Sequence, residues 1–148
     1  MSAPVWIYFL DMDRHYVADI GNYVWHDINQ NGTQDSTETA MPGVTVTLFD
    51  ATTNMLIGTQ VTDSNGEYYF RDIPLGDYYL VFDISGIAAY TDFVATTQDN
   101  FADIADSDIS TVGRTANFTF DPFSGDDFTI DAGFHLDCEL PAAFIFGN

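Results

Sequence analysis

Met41-Pro42-Gly43-Val44-Thr45-Val46-Thr47-Leu48-Phe49-Asp50 is the stretch that decides the fold class. A Pro-Gly turn opens it, and Val44–Phe49 then alternates threonine with apolar residues before ending in two apolar positions. Side chains on a strand point to opposite faces in turn, so a period of two marks one core face and one wetter face. Working outward, Tyr23-Val24-Trp25, Glu67–Phe70, Tyr78–Phe82, Asn117–Phe120 and Phe128–Ile130 are further short runs of the same kind. Turn residues separate them: Asn65-Gly66, Pro74-Leu75-Gly76-Asp77 and Ser124-Gly125-Asp126. Asn65-Gly66, lying between Val61 and Tyr68, predicts a hairpin. No segment sustains a helical period beyond one or two turns. Many short strands with regular turns predict an all-β sandwich over roughly residues 19–134. An N-terminal extension (1–18) and a C-terminal one (135–148) flank it.

The chain has 148 residues, 46% of them hydrophobic and 16% aromatic, which is enough for a packed core and excludes an acidic disordered tail. Acids outnumber bases 23 to 3, for a formal charge of −20. The bases are Arg14, Arg71 and Arg114, and lysine is absent. Such a surface repels nucleic acid and anionic membranes. Aspartate dominates the acids, and it favours turns and hard-cation ligation over helix interiors. Halophilic or solubility-driven acidity is the alternative. The apolar run Val5–Leu10 falls far short of the about 20 residues a membrane helix needs. It also lacks a basic leader, so the chain reads as a mature form without its secretion signal. Cys138 is the lone cysteine and reads as a small buried hydrophobe, with an intermolecular disulfide as the alternative.

The sharpest motif runs from Asp27 to Glu38: Asp-Ile-Asn-Gln-Asn-Gly-Thr-Gln-Asp-Ser-Thr-Glu. It satisfies D-x-[DN]-x-[DN]-G-x₅-E in full. Calcium prefers six to eight oxygens in flexible geometry. The spacing supplies side-chain oxygens from Asp27, Asn29 and Asn31, a bend at Gly32, the carbonyl of Thr33, a water-mediated contact from Asp35 and a bidentate carboxylate from Glu38. An ordinary Asn/Asp-rich turn is the competing reading. A switch of the helix–loop–helix kind needs flanking helices, whereas Tyr23-Val24-Trp25 reads as a strand, so the expected site is structural.

These residues also carry a resemblance. Ile20–Trp25, the loop and Met41–Asp50, followed by Thr62–Phe70, Leu75–Phe82, Asp106-Ser107-Asp108 and Thr129–Phe134, resemble in order the B-type domain of serine–aspartate-repeat surface proteins. That domain belongs with the collagen-adhesin B-type, prealbumin-like sandwiches, which are Ig-like in architecture. The resemblance implies a rigid, calcium-binding spacer of a bacterial cell-wall adhesin, with Asp27, Asn29, Asn31 and Glu38 as ligands. Asp63, Asp103, Asp106, Asp108 and Asp131 form a possible second calcium cluster. For any one of these, a solvated turn residue is the plain alternative. Related sandwiches often carry a Lys–Asn isopeptide bond promoted by a buried acid. This chain has no lysine, and Phe82 stands where the acid would be, so calcium alone is expected to stiffen it.

No phosphate loop, H-E-x-x-H or G-x-S-x-G is present, and His15, His26 and His135 are widely spaced, so no catalytic role is expected. Val5–Leu10 has no polar residue, and Leu140–Phe146 is similar. Strands of that kind want burial on both faces. They predict either self-complementation or donation to a neighbouring copy, which makes a filament if the contact does not close. The expectation is therefore a subunit of an extracellular bacterial surface fibre, homopolymeric through Val5–Leu10 and/or Leu140–Phe146. A monomeric calcium-binding stalk is the alternative, and a ligand-binding head is a third possibility.

Overall fold

The computed structural model describes residues 17–96 and 107–137. Val5–Leu10, Leu140–Phe146, Asp103, Asp106 and Cys138 lie outside the described residues. Among the described residues nine strands follow one another: β1 (Val17–His26), β2 (Thr39–Ala40), β3 (Thr45–Asp50), β4 (Leu56–Val61), β5 (Glu67–Pro74), β6 (Gly76–Asp83), β7 (Phe93–Ala95), β8 (Phe118–Phe120) and β9 (Asp127–Leu136). The described helical structure is one 3-10 turn, Ala88–Tyr90.

The strands form two sheets, as the alternation in Val44–Phe49 predicts. One sheet runs β4-β3-β6-β8, antiparallel throughout. In the other, β1 lies between β5 and β9, with the short β2 beside its C-terminal end and β7 on the far side of β9. The first and last described strands, β1 and β9, pair in parallel, with Tyr23 opposite Asp131 and Trp25 opposite Gly133.

The inner faces of both sheets meet in one core. Val46, Leu48, Leu80 and Phe82 come from one sheet, and Ile20, Val24, Tyr68, Phe70, Ile130 and Phe134 from the other. Each such side chain contributes about 1.5–3 kcal/mol when fully buried. Phe82 lies edge-on to Tyr68 at 5.4 Å, so an aromatic pair fills the place where related domains would carry an acid. The Tyr68 hydroxyl donates to the Ile130 carbonyl at 2.6 Å, and burial first, then the Asp131 carboxylate, push its pKa well above the usual 10.0. Thr62 is buried but satisfied: its hydroxyl donates to the Met41 carbonyl and accepts from the Val44 amide.

Two glycines are dictated by close approach. Asn65-Gly66 makes a turn but not the predicted hairpin, because β4 and β5 on either side of it belong to different sheets; at Gly66 φ is +74° and a Cβ would stand 2.6 Å from the Val24 carbonyl oxygen. At Gly133 a Cβ would stand 2.8 Å from the Trp25 ring.

β2, β4 and β7 escape the sequence patterns, and β9 is caught only in part. β4 alternates weakly because it is an edge strand with mostly exposed positions. β9 is ten residues long, not the three of Phe128–Ile130, because Ile130–Phe134 are buried on both faces and so lose their alternation.

Candidate metal centre

The Asp27–Glu38 loop leaves β1 at His26 and returns at β2. The Asp27 amide donates to the Phe134 carbonyl at 2.7 Å, which fixes the loop's start to β9. Asp27 itself is fully buried. Its carboxylate faces into the loop, accepting from the Gly32 amide at 2.9 Å and the Asn31 amide at 3.3 Å. The bend that turns these amides inward occurs at Gln30 and Gly32, with φ of +60° and +78°. Glycine takes that conformation at no steric cost.

The other motif residues converge on the same loop. Asp35 Oδ2 accepts from Asn29 Nδ2 at 2.7 Å and from Asn31 Nδ2 at 3.1 Å. Glu38 closes the loop with both oxygens, Oε1 on the Asp35 amide at 3.0 Å and Oε2 on the Asn29 amide at 3.4 Å. Asn31 Oδ1 accepts from the Thr33 amide. Asp27, Asn29, Asn31, Asp35 and Glu38 thus form one hydrogen-bonded group, with the Thr33 backbone beside it. Among the described residues no three Asp, Glu, His or Cys side chains gather as tightly as a bound ion would draw them. The carboxylates are spaced by the two carboxamides, whose nitrogens meet Asp35. Half a turn of each amide would present oxygen instead, at the expense of the bonds that the Asn31 and Thr33 amides now donate to those oxygens. The donor set is then entirely hard oxygen, which suits calcium and not a thiophilic metal.

The second set of carboxylates is partly assembled. Asp131 is buried, and its amide donates to Asp108 Oδ2 at 2.8 Å. Asp131 Oδ1 accepts from the Tyr23 amide at 3.1 Å, and Oδ2 accepts from Gln34 Nε2 at 2.7 Å. Asn22, in the amide orientation that satisfies its neighbours, also donates to Asp131 Oδ1. Asp63 sits in the turn before β5, where its Oδ1 caps the Asn65 and Glu67 amides.

Sequence reasoning missed how these groups adjoin. Gln34, a filler position in the motif, ties the loop to Asp131. Ser107 does the same through its amide, which donates to the Gly32 carbonyl at 2.9 Å, while its hydroxyl accepts from the Gly133 amide and donates to the Thr96 carbonyl. Tyr23 reports the crowding of acids: burial first, and then Asp131, Glu67 and Glu38, raise its hydroxyl above the usual 10.0. No local spacing links Glu67 to this region, since it arrives as the β5 partner of Tyr23. The described histidines are otherwise engaged. The His26 ring packs edge-on to Phe93 at 4.7 Å, and His135 Nδ1 lies 2.8 Å from the Thr96 hydroxyl.

A sandwich closed by a parallel first-to-last strand pair, with an acid-rich loop on that pair, agrees with a family match. The SdrD B-like domain matches residues 18–134. The chain belongs to the SdrD B-like domain family. It is 36% identical over 115 residues to the bone sialoprotein-binding protein of Staphylococcus aureus (strain MRSA252), covering 78% of this chain and 9% of that protein. It is 35% identical over 116 residues to the serine-aspartate repeat-containing protein C of Staphylococcus aureus (strain Newman), covering 78% and 11%. The chain thus spans about a tenth of the length of the curated relatives it matches. Among solved structures it resembles BcpA, the major pilin subunit of Bacillus cereus, at 16% identity and a TM-score of 0.46, covering 80% of this chain and 30% of that one. SdrD B-like domains are non-catalytic structural modules of extracellular bacterial surface proteins, and this chain is one of them.

Proposed function

We propose that this SdrD B-like chain is a calcium-stiffened structural subunit of an extracellular bacterial surface fibre. The observation that carries the stiffening is where the loop is fastened. β1 and β9 are parallel neighbours, so the start of one and the end of the other lie at opposite ends of the sandwich. Tension applied through the two ends of the domain then loads their hydrogen bonds in shear, many at once. The Asp27–Glu38 loop is tied to this pair at the Phe134 carbonyl and at Asp131. An ion held by Asp27, Asn29, Asn31, Asp35, Glu38 and the Thr33 carbonyl would neutralise carboxylates that otherwise repel, and would clamp the loop to both strands. Asp108 and Asp131, with Asp63, Asp103 and Asp106 as further candidates, would serve a second ion.

Single-molecule stretching tests the stiffening. The unfolding force should be high in calcium and fall in chelator, and equal forces would refute it.

Assembly through Val5–Leu10 and/or Leu140–Phe146 rests on their uncharged, two-sided apolarity within a chain of charge −20. Removing Met1–Asp13 separates donation from self-complementation. Donation gives a folded monomer that no longer forms fibres, and self-complementation gives a destabilised domain. A shortened chain that polymerises normally would take the N-terminal run out of the mechanism. A monomeric stalk module is the reading left if the intact chain makes no fibres.

A further inference from the structure

We propose that the cleft between the open edges of the two sheets is closed by the same chain's C-terminal run, with Leu140–Phe146 lying along β7. The assignment holds whether or not the chain binds calcium or forms fibres. It gives one of the two apolar runs to its own domain and leaves Val5–Leu10 as the run for a neighbour.

β7 is the last strand of its sheet, and among the described residues β9 is its one ladder partner. The Thr96 amide donates to the Gly133 carbonyl and the Asp137 amide to the Asp92 carbonyl, at the two ends of an unshifted register. Hydrogen-bonded pairs alternate along an antiparallel ladder, so Val94 also bonds toward β9, and Phe93 and Ala95 turn amide and carbonyl to the free edge. On the other sheet, the Phe82 amide donates to the Gly113 carbonyl, so that sheet's margin here is the turn around Gly113. Between the two margins lies a cleft of about 460 Å³, whose walls include Phe82, Ile84, Tyr90, Phe93, Val112 and Phe134. Asp83 is its one acid, and it has no base. In a chain of charge −20, such a trough suits an uncharged apolar segment.

Chain length selects the occupant. β9 ends at Leu136, and Asp137 is held to Asp92 at the start of β7. Leu140 follows three residues later, within about 10 Å. The free side of β7 lies two strand spacings from β9, also about 10 Å, so the run begins where the cleft begins. Seven residues without a charge then follow, Leu-Pro-Ala-Ala-Phe-Ile-Phe. Pro141 has no amide to donate, which is tolerated on an outermost strand and blunts it against further pairing. A segment tethered this closely has an effective concentration on the order of millimolar, above that of any second copy in dilute solution. The N-terminal run falls short of its own cleft. β1 and β9 are parallel, with His26 opposite Phe134, so Val17 lies about 30 Å away at the far end of β1. The residues from Leu10 to Val17 span at most about 25 Å.

The test uses the full chain carrying Cys138→Ser with Val112→Cys on the wall opposite β7 and Ala143→Cys in the run, treated at low protein concentration with a short bismaleimide. Val112 is 77% exposed, so its replacement should keep the fold, which a thermal melt verifies. The expected result is a cross-link within one chain, mapped by mass spectrometry to positions 112 and 143, in a yield independent of protein concentration. Adding Phe144→Asp and Phe146→Asp should cut that yield several-fold and raise the binding of an apolar dye, because charge expels the run from the cleft. Equal yields with and without the aspartates would overturn the proposal, since the tether alone would then explain the link. A link that forms only between chains and rises with concentration would overturn it in favour of a neighbour's run. Absence of any link would overturn it too, whether the dye binds an open cleft or is kept out by another segment such as residues 97–106. Fibres are scored by negative-stain microscopy on the same samples, and their presence or absence bears on the assembly reading alone.

Discussion

Asp27 and Asp131 are the two buried carboxylates of the described residues, and they are held in opposite ways. Asp27 is satisfied by its own loop, through amides four and five residues further on. Asp131 is satisfied from afar, by the Tyr23 amide 108 residues away and the Gln34 side chain 97 residues away. A locally satisfied acid can be read from spacing, and a distantly satisfied one depends on the sheet being assembled first. The two should therefore fail differently when changed.

The largest effect is expected at Asp131. Asp131→Ala strands the Tyr23 amide and the Gln34 carboxamide and should lower stability by about 2–4 kcal/mol in urea unfolding without calcium. A loss within experimental error would show that the Asp131 contacts are not structural. Asp27→Asn sharpens the contrast. The amide oxygen can still accept from the Gly32 amide, but the NH2 group then faces the Asn31 amide, which had the longer bond to the other oxygen, so stability without calcium should fall by about 1–2 kcal/mol, less than at Asp131. The gain on adding calcium, expected at about 2.7 kcal/mol for a hundredfold excess over Kd, should disappear. A retained calcium gain would remove Asp27 from the ligand set.

Within the loop, Glu38→Ala should weaken calcium binding more than Asp35→Ala. Glu38 already spans the loop with both oxygens, whereas Asp35 is expected to act through water. Calorimetric titration decides between them, and equal affinities would count against the EF-hand-like arrangement. The smallest effect lies at a half-buried acid on β1. The Asp72 amide first, and then Arg71 at 3.0 Å, hold the Asp19 carboxyl below its usual 3.8. A lowered folded-state pKa stabilises the fold above 3.8, and that contribution is lost as pH falls through the folded value. Asp19→Asn should flatten the acid limb by lowering stability slightly at neutral pH, while leaving stability at pH values below the folded-state pKa unchanged. A large loss at pH 7 would contradict this.

Much of this molecule was legible in its sequence. Alternation in Val44–Phe49 and the Asn65-Gly66 turn correspond to β3 and the turn into β5, because strand period and turn chemistry are local, whereas the expected hairpin is absent because that turn passes from one sheet to the other. The loop motif brought Asp27, Asn29, Asn31, Asp35 and Glu38 together for the same reason. β4 was missed because its exposed edge leaves no core-facing pattern. The length of β9 was missed because burial on both faces erases alternation. Gln34, Ser107 and Glu67 were missed because their roles exist only across the sheet.

Thermal unfolding of the intact chain in calcium, compared with chelator after a cycle of unfolding and refolding to release any trapped ion, tests the central claim most directly. Stiffening by the Asp27–Glu38 loop predicts a midpoint that rises with the logarithm of free calcium and a rise that Asp27→Asn abolishes. Superimposable curves with and without calcium would contradict it.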